Sequence, residues 1–351
     1  MRPSAGLASG YLCVPSAGIN MERLPPEHQP IGLVVIGRNE GDRLVKCLDS
    51  TLQQCTTVVY VDSGSTDNSV AMARSKGVSV VELDMRTPFT AARARNAGFA
   101  QLLQLEPHLA FVQFVDGDCE LAPHWLNTAS TYLRAHPHIA AVAGRLREKF
   151  PDASMYNRLC DLEWAAPAGL AKHCGGIAMM RVSAFQQVSG FDPQLICGEE
   201  PELCSRFRSR GWQIWRLADD MAHHDAAMTH FGQWWTRTKR AGFGFAQAAY
   251  MSRNEPERRG RRESRSAWLW GLFIPLLGIV LSTFWLPVGL LVWAAYPAQI
   301  TRLALRGKYS ARINWLRASF LVLGKFPEVL GQIKFMFQRI TGKQSYLIEH
   351  K

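Results

Sequence analysis

A chain of 351 residues is long enough for one large α/β domain and a smaller appended region. Its content of 47% hydrophobic and 20% charged residues excludes a disordered protein. The formal net charge of +11 predicts an anionic partner, which is nucleic acid, anionic lipid or a phosphorylated substrate. The cysteines form no CxxC pair and no zinc spacing, which predicts free thiols in a reducing compartment.

Strands and helices alternate over residues 31–120. The segment before them, 1–30, is rich in Pro, Gly, Ser and Ala, and we predict that it is disordered. It shows no uninterrupted apolar region followed by a cleavage site, so we expect no export signal there. Apolar runs predict strands at 31–36, 57–61, 78–83 and 109–115, and helical spacing predicts helices at 42–54, 69–76 and 90–105. This alternation is typical of a Rossmann-like, mostly parallel sheet flanked by helices, and it makes this half a nucleotide-binding unit.

A second α/β half extends over residues 121–240. The pattern predicts strands at 139–144, 175–180 and 212–217 and helices at 125–136 and 182–188. The segment 198–211 begins with acidic residues and becomes basic before a glycine, an order that complements a helix dipole.

Two carboxylates separated by one residue follow the strand at 109–115. Asp116 and Asp118 lie where open α/β sheets bind their ligands, at the carboxyl end of a strand. Alternate residues of an extended strand share a face, so both can reach one divalent ion and the phosphates that it carries. The alternative is an ordinary Asp-Gly-Asp turn, and only the surrounding motifs distinguish the two.

The composition changes after about residue 235. A basic stretch at 237–265 precedes the run 267–296, which has no charged residue. That run is longer than the roughly 20 residues of one membrane span and short for two. Basic residues on both sides predict a hairpin or re-entrant element that enters and leaves from the cytoplasm, and a pair of hydrophobic core helices is the alternative. The tail at 315–340 is typical of an interfacial amphipathic helix.

The basic residues therefore indicate anionic lipid and no nucleic-acid partner, because they adjoin an apolar run rather than form a domain with interleaved exposed aromatics. We assign 241–266 as a basic linker and 267–351 as a membrane-associated helical region.

Five motifs occur in order along the chain: Val-Val-Ile-Gly-Arg-Asn-Glu at 34–40, Val-Asp-Ser-Gly-Ser-Thr-Asp at 61–67, Ala-Arg-Ala-Arg-Asn-Ala-Gly at 92–98, Val-Asp-Gly-Asp at 115–118 and Gly-Glu-Glu-Pro-Glu-Leu at 198–203. Together they resemble the inverting family 2 glycosyltransferases of GT-A fold. The resemblance covers 31–240 and implies an enzyme that moves a sugar, with inversion, from a nucleotide-sugar donor to a lipid-linked or polysaccharide acceptor. The processive signature Gln-x-x-Arg-Trp is absent at 233–237, which predicts transfer of one sugar at a time.

The departing diphosphate gains negative charge, which a divalent ion stabilises directly. The resemblance implies Asp118 as a direct ligand of Mn²⁺ or Mg²⁺, with Asp116 holding the ribose or a metal-bound water. It also implies a histidine that completes the metal shell, either His223 or His224, and an ordinary surface pair is the alternative.

Donor-binding residues follow the first two strands. Asp62 resembles the family acid that contacts base and ribose, although Ser63 stands where many relatives have a second Asp. Asn39 and Glu40 are expected beside the nucleotide. Arg95, at the start of a helix, is expected at the diphosphate, and a surface salt bridge is the alternative.

Inversion requires a base that takes the proton of the acceptor hydroxyl. Family members carry a Glu-Asp pair ahead of a helix, and Glu199 and Glu200 occupy that place. Glu200 aligns with the base, so we prefer it to Glu199; acids that serve only the helix dipole are the alternative. Gly175 and Gly176 resemble the pair that lines the acceptor side, and Trp234 either stacks on a sugar or anchors the domain on the membrane.

Two other functions compete with this reading. A dinucleotide-dependent oxidoreductase would carry Gly-x-Gly-x-x-Gly after the first strand, which this chain lacks. A non-catalytic nucleotide-sugar-binding or scaffold protein of the same fold would tolerate loss of Asp118 and of the acids at 199 and 200, and all are present. We predict an enzyme at the cytoplasmic face of the inner membrane, in contact with membrane lipid.

Overall fold

The computed structural model describes residues 30–342, so the segment predicted to be disordered lies outside the described residues except for residue 30. The strands are β1 (Ile31–Gly37), β2 (Val58–Asp62), β3 (Ser79–Glu82), β4 (Phe111–Asp116), β5 (Cys119–Leu121), β6 (Ile139–Glu148), β7 (Gly169–Ala171), β8 (Ala178–Arg181) and β9 (Gln213–His224). The helices are α1 (Asp42–Leu52), α2 (Ser69–Ser75), α3 (Ala91–Leu105), α4 (Trp125–Ala135), α5 (Met155–Trp164), α6 (Val182–Gln187), α7 (Glu199–Ser209), α8 (Phe231–Met251), α9 (Arg261–Trp268), α10 (Ile274–Phe284), α11 (Leu286–Trp293), α12 (Ala295–Leu305), α13 (Ala311–Leu323) and α14 (Lys325–Thr341).

Residues 31–240 contain the candidate site residues, and we call them the catalytic half. One sheet of nine strands forms their centre. Its order is β3-β2-β1-β4-β8-β6-β9-β5, with β7 also paired to β9. The α/β class with flanking helices is confirmed. Parallel pairing holds among β3, β2, β1 and β4. Beyond β4 the sheet is mixed, because β8 runs antiparallel to both β4 and β6.

The register of the parallel strands brings their polar carboxyl ends together. Gly37 pairs with Asp62 of β2, and Ile36 pairs with Asp116 of β4. Helix α3 packs close behind these strands because Gly98 has no side chain; a Cβ there would collide with Val34. The sheet edge where these strands end is thus held by a fully buried core, and the polar loops sit on a rigid base.

Strand β9 is longer than the predicted strand at 212–217, since it continues to His224. Its last residues gain partners on both sides: His224 pairs with Cys119 of β5 and with Glu148 of β6. The short strands β5 and β7 have three residues each, too few for a readable pattern. This pairing returns the end of β9 to the Asp-Gly-Asp turn after β4.

The C-terminal helices are joined to the catalytic half through α8. Helix α14 crosses α8 at two glycines, where a Cβ on Gly242 would collide with the carbonyl of Glu328 and one on Gly331 with that of Lys239. The tail predicted as one amphipathic helix is two helices, α13 and α14, which meet at Gly324. Helix α14 therefore has one face packed on the body and another exposed.

Two helical stretches are long and apolar enough to cross a membrane by length and composition. They are Arg261–Phe284, which includes a π-helical turn between α9 and α10, and Leu286–Leu305. Only 17% and 11% of their most apolar windows are buried. The alternative of a hydrophobic core helix pair does not fit such exposure.

Candidate active site

The loops after β1 and β2 are bound to each other. Asn39 accepts a hydrogen bond at Oδ1 from the backbone N–H of Thr66 (2.7 Å), and its own N–H donates to Ser65 Oγ. Asp67 accepts the N–H of Gly41 at 3.2 Å. These contacts close the two loops into one surface above the strand ends. Asn39 has a left-handed φ of 54°, which asparagine tolerates better than most residues.

Asp62 is buried and fixes the second loop. Its Oδ2 accepts the backbone N–H groups of Gly64 and Ser65 at 2.9 and 2.8 Å, and its Oδ1 accepts the Tyr60 hydroxyl at 3.0 Å. Burial and the nearby Asp62 carboxylate raise the pKa of Tyr60, so the phenol stays protonated and donates. The side chain of Asp62 is therefore held rigidly at the carboxyl end of β2.

Glu40 is also buried, between the first loop and the Asp-Gly-Asp turn. It forms an ion pair with Arg43 at 2.8 Å. Gly117 lies directly against it, and a Cβ at that position would come within 3.2 Å of Glu40 Cγ. The glycine thus allows the turn to pack on the loop after β1, which places the two acids of the turn beside the nucleotide-side loops.

Arg95 connects the two halves of the site. Its Nη2 donates to Asp116 Oδ1 at 2.8 Å and its Nη1 donates to Glu199 Oε1 at 2.6 Å. The guanidinium is 3% exposed and lies 5.6 Å from the centroid of the Phe191 ring. The alternative for Arg95, a surface salt bridge, does not fit, because the guanidinium itself is buried between α3, β4 and α7.

The predicted acceptor-side glycines lie next to this bridge. A Cβ on Gly176 would come 2.9 Å from Arg95 Nη2 and 3.4 Å from Asp116 Oδ2. Gly175 has a φ of 91° and nothing within 4 Å of its Cβ position. Gly176 therefore leaves room beside Arg95 and Asp116 that a side chain would fill, and Gly175 supplies the turn that brings it there.

Asp118 and His224 face each other across the turn. His224 Nε2 lies 3.4 Å from Asp118 Oδ1, both side chains are largely buried, and the Cys119 thiol is close by. His223 is exposed, since successive residues of β9 point to opposite faces. A carboxylate oxygen and an imidazole nitrogen at this separation can reach one ion and suit Mn²⁺. The structure brings His224, and not His223, to the predicted metal position.

Glu199 and Glu200 begin α7 and face different partners. Glu199 pairs with Arg95, whereas Glu200 is buried, and its Oε1 accepts the N–H of Cys174 at 2.6 Å and the thiol of Cys204 at 2.9 Å. Burial raises the pKa of the Cys204 thiol well above its ordinary value, so it is a neutral donor. Glu200 is thereby tied to the residue that precedes the acceptor-side glycines.

Trp234 is not brought to the site. It is 6% exposed, and its ring lies 4.8 Å from that of Phe320 in an edge-on contact. Cys160 and Met228 complete this apolar cluster between α5, α8 and α13. A buried ring has no free face for a sugar, so neither an acceptor platform nor a membrane anchor fits this placement.

The comparisons with known proteins agree with this geometry. The model of glycosyl transferase family 2 matches residues 33–188. The chain carries a family 2 glycosyltransferase domain. A second model, described as the N-terminal domain of galactosyltransferase, matches residues 161–230. Together the two matches include every residue predicted for the site except Trp234.

Three known proteins similar to this glycosyltransferase domain extend the comparison. The O-antigen chain rhamnosyltransferase RfbN of Salmonella typhimurium is 24% identical over 212 residues, which are 55% of this chain and 66% of that protein. The mannosyltransferase PcManGT of Pyrobaculum calidifontis, solved with GDP-Man and Mn²⁺, is 16% identical with a TM-score of 0.55, covering 91% of this chain and 92% of that one. S. aureus TarS 1-349 is 15% identical with a TM-score of 0.45 over 84% of this chain and 90% of that one. The likeness to the mannosyltransferase confirms the fold.

The sequence motifs of the glycosyltransferase domain did not reveal every residue that shapes the site. Cys174 and Cys204 carry no recognisable motif, yet both contact Glu200. The sequence could have indicated one of these contacts, because Cys204 follows Glu200 by one helical turn and so lies on the same face of α7. Trp164, at the end of α5, also lies against His224, with ring centroids 4.6 Å apart.

Proposed function

We propose that this chain transfers one sugar from a nucleotide-sugar donor to a lipid-linked or polysaccharide acceptor, with inversion, at the cytoplasmic face of the inner membrane. The observation that carries the proposal is the buried Arg95, which binds Asp116 on the donor side and Glu199 on the acceptor side. A binding protein has no need of this coupling, whereas a transferase must hold donor and acceptor in a fixed relation.

The donor would lie over the joined loops after β1 and β2. That surface is bordered by Asn39, Glu40 and Asp62. Asp116, at the end of β4, lies beside it. Asp118 and His224 would hold Mn²⁺ or Mg²⁺, and the bound ion would neutralise charge on the departing diphosphate. The Mn²⁺ in the mannosyltransferase structure supports this assignment.

The acceptor would approach from the side of Gly176. In this proposal Glu200 is the base, and because its Oε1 already accepts two hydrogen bonds, Oε2 takes the proton of the acceptor hydroxyl. Glu199 orients Arg95 instead of accepting the proton. Attack from the face opposite the leaving diphosphate inverts the anomeric centre.

The acceptor class and the location have separate support. The Salmonella relative is an O-antigen chain enzyme, which favours a polysaccharide or its lipid-linked precursor as acceptor. The two exposed apolar helices and the basic residues beside them favour a membrane surface with anionic lipid.

Purified full-length protein with a panel of nucleotide sugars and Mn²⁺ or Mg²⁺ tests the proposal. We expect turnover with one donor, a product of inverted anomeric configuration by NMR, and loss of transfer but not of donor binding in Glu200→Gln. Donor binding without any turnover would favour the non-catalytic alternative. Neither binding nor turnover with any donor would refute the proposal.

A further inference from the structure

Helices α10 and α11 form an antiparallel hairpin with a turn of one residue, Trp285. Close contacts define the pairing: a Cβ on Gly278 would meet the Trp293 ring at 2.9 Å, and one on Gly289 would collide with Ser282. These small residues let the two helices approach closely along their length, as in membrane helix pairs. We call residues 272–295 the apolar hairpin.

The outer surface of the apolar hairpin is unpartnered among the described residues. Exposure is greatest near its tip, where Phe284 is 85% exposed, Trp285 66% and Leu291 74%. A contiguous apolar surface of this kind is not stable in water and marks an interaction with a membrane or another protein.

Several polar groups at the tip are hydrogen-bonded inside the hairpin. The N–H of Trp285 donates to the carbonyl of Leu281 at 2.8 Å, and the carbonyl of Trp285 accepts the N–H groups of Val288 and Gly289 at 3.1 Å. The hydroxyl of Ser282 donates to the carbonyl of Gly278 at 2.7 Å. Thr283 and Pro287 continue the pattern, since Thr283 donates within its own helix and Pro287 has no N–H. Hydrogen bonds within the segment are required in the hydrocarbon core of a membrane, where no water can bind the polar groups, and are not required in water.

The hairpin is short for a full crossing. At its base, the hydroxyl of Tyr296 donates to the carbonyl of Trp270 at 2.5 Å, and Gly271 packs against the carbonyl of Lys325 of α14. Residues up to about 271 therefore belong to the protein body. The stretch from 272 to the tip rises about 20 Å at 1.5 Å per residue. A hydrocarbon core is about 30 Å thick.

Arginines stand at the base of both helices. Arg262 and Arg265 precede the first helix of the hairpin, Arg302 and Arg306 follow the second, and all four are exposed. The antiparallel pairing puts both sets at the end opposite the tip. This basic collar, defined as Arg262, Arg265, Arg302 and Arg306, complements anionic phosphates and not another apolar protein face.

We propose that the apolar hairpin inserts from one side into a bilayer without crossing it, while the basic collar binds the headgroup phosphates of anionic phospholipid. This inference rests on the membrane location of the proposed function and deepens it. Both ends of the hairpin then stay on the side of the catalytic half. The glycines that join α8 to α14 fix the site at a constant height above the lipid.

Depth measurements on Trp285→Cys, labelled with a thiol-reactive fluorophore in lipid vesicles, test the insertion. We expect stronger quenching by a spin label near the end of the acyl chain than by one near the headgroup. In unlabelled Trp285→Cys we also expect no reaction with an impermeant maleimide enclosed in the vesicles. Reaction from inside would show a full crossing, and quantitative reaction from outside would show no insertion; each overturns the proposal. Labelled unsubstituted protein controls for the native cysteines.

Vesicle flotation tests the collar. The double variant Arg265→Glu with Arg302→Glu should bind vesicles of phosphatidylcholine with phosphatidylglycerol at least about tenfold more weakly than the wild type. The matched control is Lys46→Glu with Arg210→Glu, which changes the net charge equally at exposed positions of α1 and after α7. Two results would contradict specific binding of anionic lipid by the basic collar. One is an equal loss of vesicle binding in both double variants, and the other is wild-type binding that does not depend on the phosphatidylglycerol content.

Donor binding by the same preparations separates this inference from the proposed function. If the protein turns over a nucleotide sugar but does not float with vesicles, the proposed activity stands and the proposed insertion of the apolar hairpin is refuted. If the protein floats with vesicles and the quenching shows the expected depth, but it neither binds nor turns over any donor, the insertion stands and the proposed activity is refuted.

Discussion

Arg95 and Glu199 are joined by a hydrogen-bonded ion pair of 2.6 Å. Arg95 lies in the first turns of α3, which packs on the donor-side strands, and Glu199 is the first residue of α7. The same guanidinium also binds Asp116. The planar fork of arginine, with its several N–H donors, suits this position between two carboxylates, and a lysine ammonium would not span both.

Arg95→Lys should therefore lower kcat/KM about tenfold or more while the protein stays folded, because one ammonium cannot hold both acids. Arg95→Ala should also lower the free energy of unfolding by about 1–3 kcal/mol, since it leaves two partly buried carboxylates without the cation that they share. Steady-state kinetics and denaturant unfolding measure the two effects. Arg74→Ala is the control: its pair with Glu82 is exposed and should contribute less than about 1 kcal/mol. Wild-type kinetics in Arg95→Lys would contradict the bridging role.

The neighbouring histidines should differ in metal binding. Asp118→Asn and His224→Ala should each weaken Mn²⁺ binding about tenfold or more, because each removes a buried group at the proposed ion position. His223→Ala is the matched control, since its side chain is exposed on the other face of β9. Titration followed by the EPR signal of free Mn²⁺ measures the affinities without requiring turnover. A larger effect of His223→Ala than of His224→Ala would reverse the assignment.

The sequence alone was sufficient to predict the strands and helices that are marked by a long run of apolar residues or by a regular apolar spacing. Buried strands such as β1, β2 and β4 are continuous apolar runs, and the polar residues that follow them could be placed at the sheet edge from the fold class alone. The three-residue strands β5 and β7 exist only through their pairing with β9. Nothing local in their sequence distinguishes them from turns.

The finer parts of the site depend on contacts between distant segments. The choice of His224 over His223 depends on the register of β9 against β5, which strand propensity does not determine. The burial of Trp234 depends on Phe320, which belongs to a helix that comes much later in the chain. The hydrogen bond from Cys204 to Glu200 could be anticipated, because the two residues are one helical turn apart. The second hydrogen bond to Glu200, from the backbone N–H of Cys174, could not, because Cys174 lies in a different part of the chain.

Cys204 should act on catalysis through Glu200. Cys204→Ala should lower kcat about fivefold and leave the KM for the donor unchanged, because the Glu200 carboxylate loses a hydrogen bond that holds it in place. Cys204→Ser keeps a donor and should restore most of the rate. A rate loss in Cys204→Ala that serine does not rescue would indicate a packing role alone.

Trp234 should contribute to stability and not to acceptor binding. Trp234→Ala should lower the free energy of unfolding by about 3 kcal/mol or more, because it opens a cavity in the cluster with Cys160 and Met228. Trp234→Phe should cost less and leave the KM for the acceptor unchanged, since no face of the ring is free to stack on a sugar. A raised acceptor KM in Trp234→Phe at normal stability would contradict this.

A double-mutant cycle identifies the partner of Trp234. The rings of Trp234 and Phe320 meet at 88° with centroids 4.8 Å apart. Edge-on aromatic pairs contribute about 0.5–1.5 kcal/mol beyond the area that they bury. Trp234→Ala, Phe320→Ala and the double variant, compared by denaturant unfolding, should therefore give a coupling energy in that range. Because Phe320 belongs to α13, additive effects would mean that this helix does not rest on the catalytic half through the ring pair.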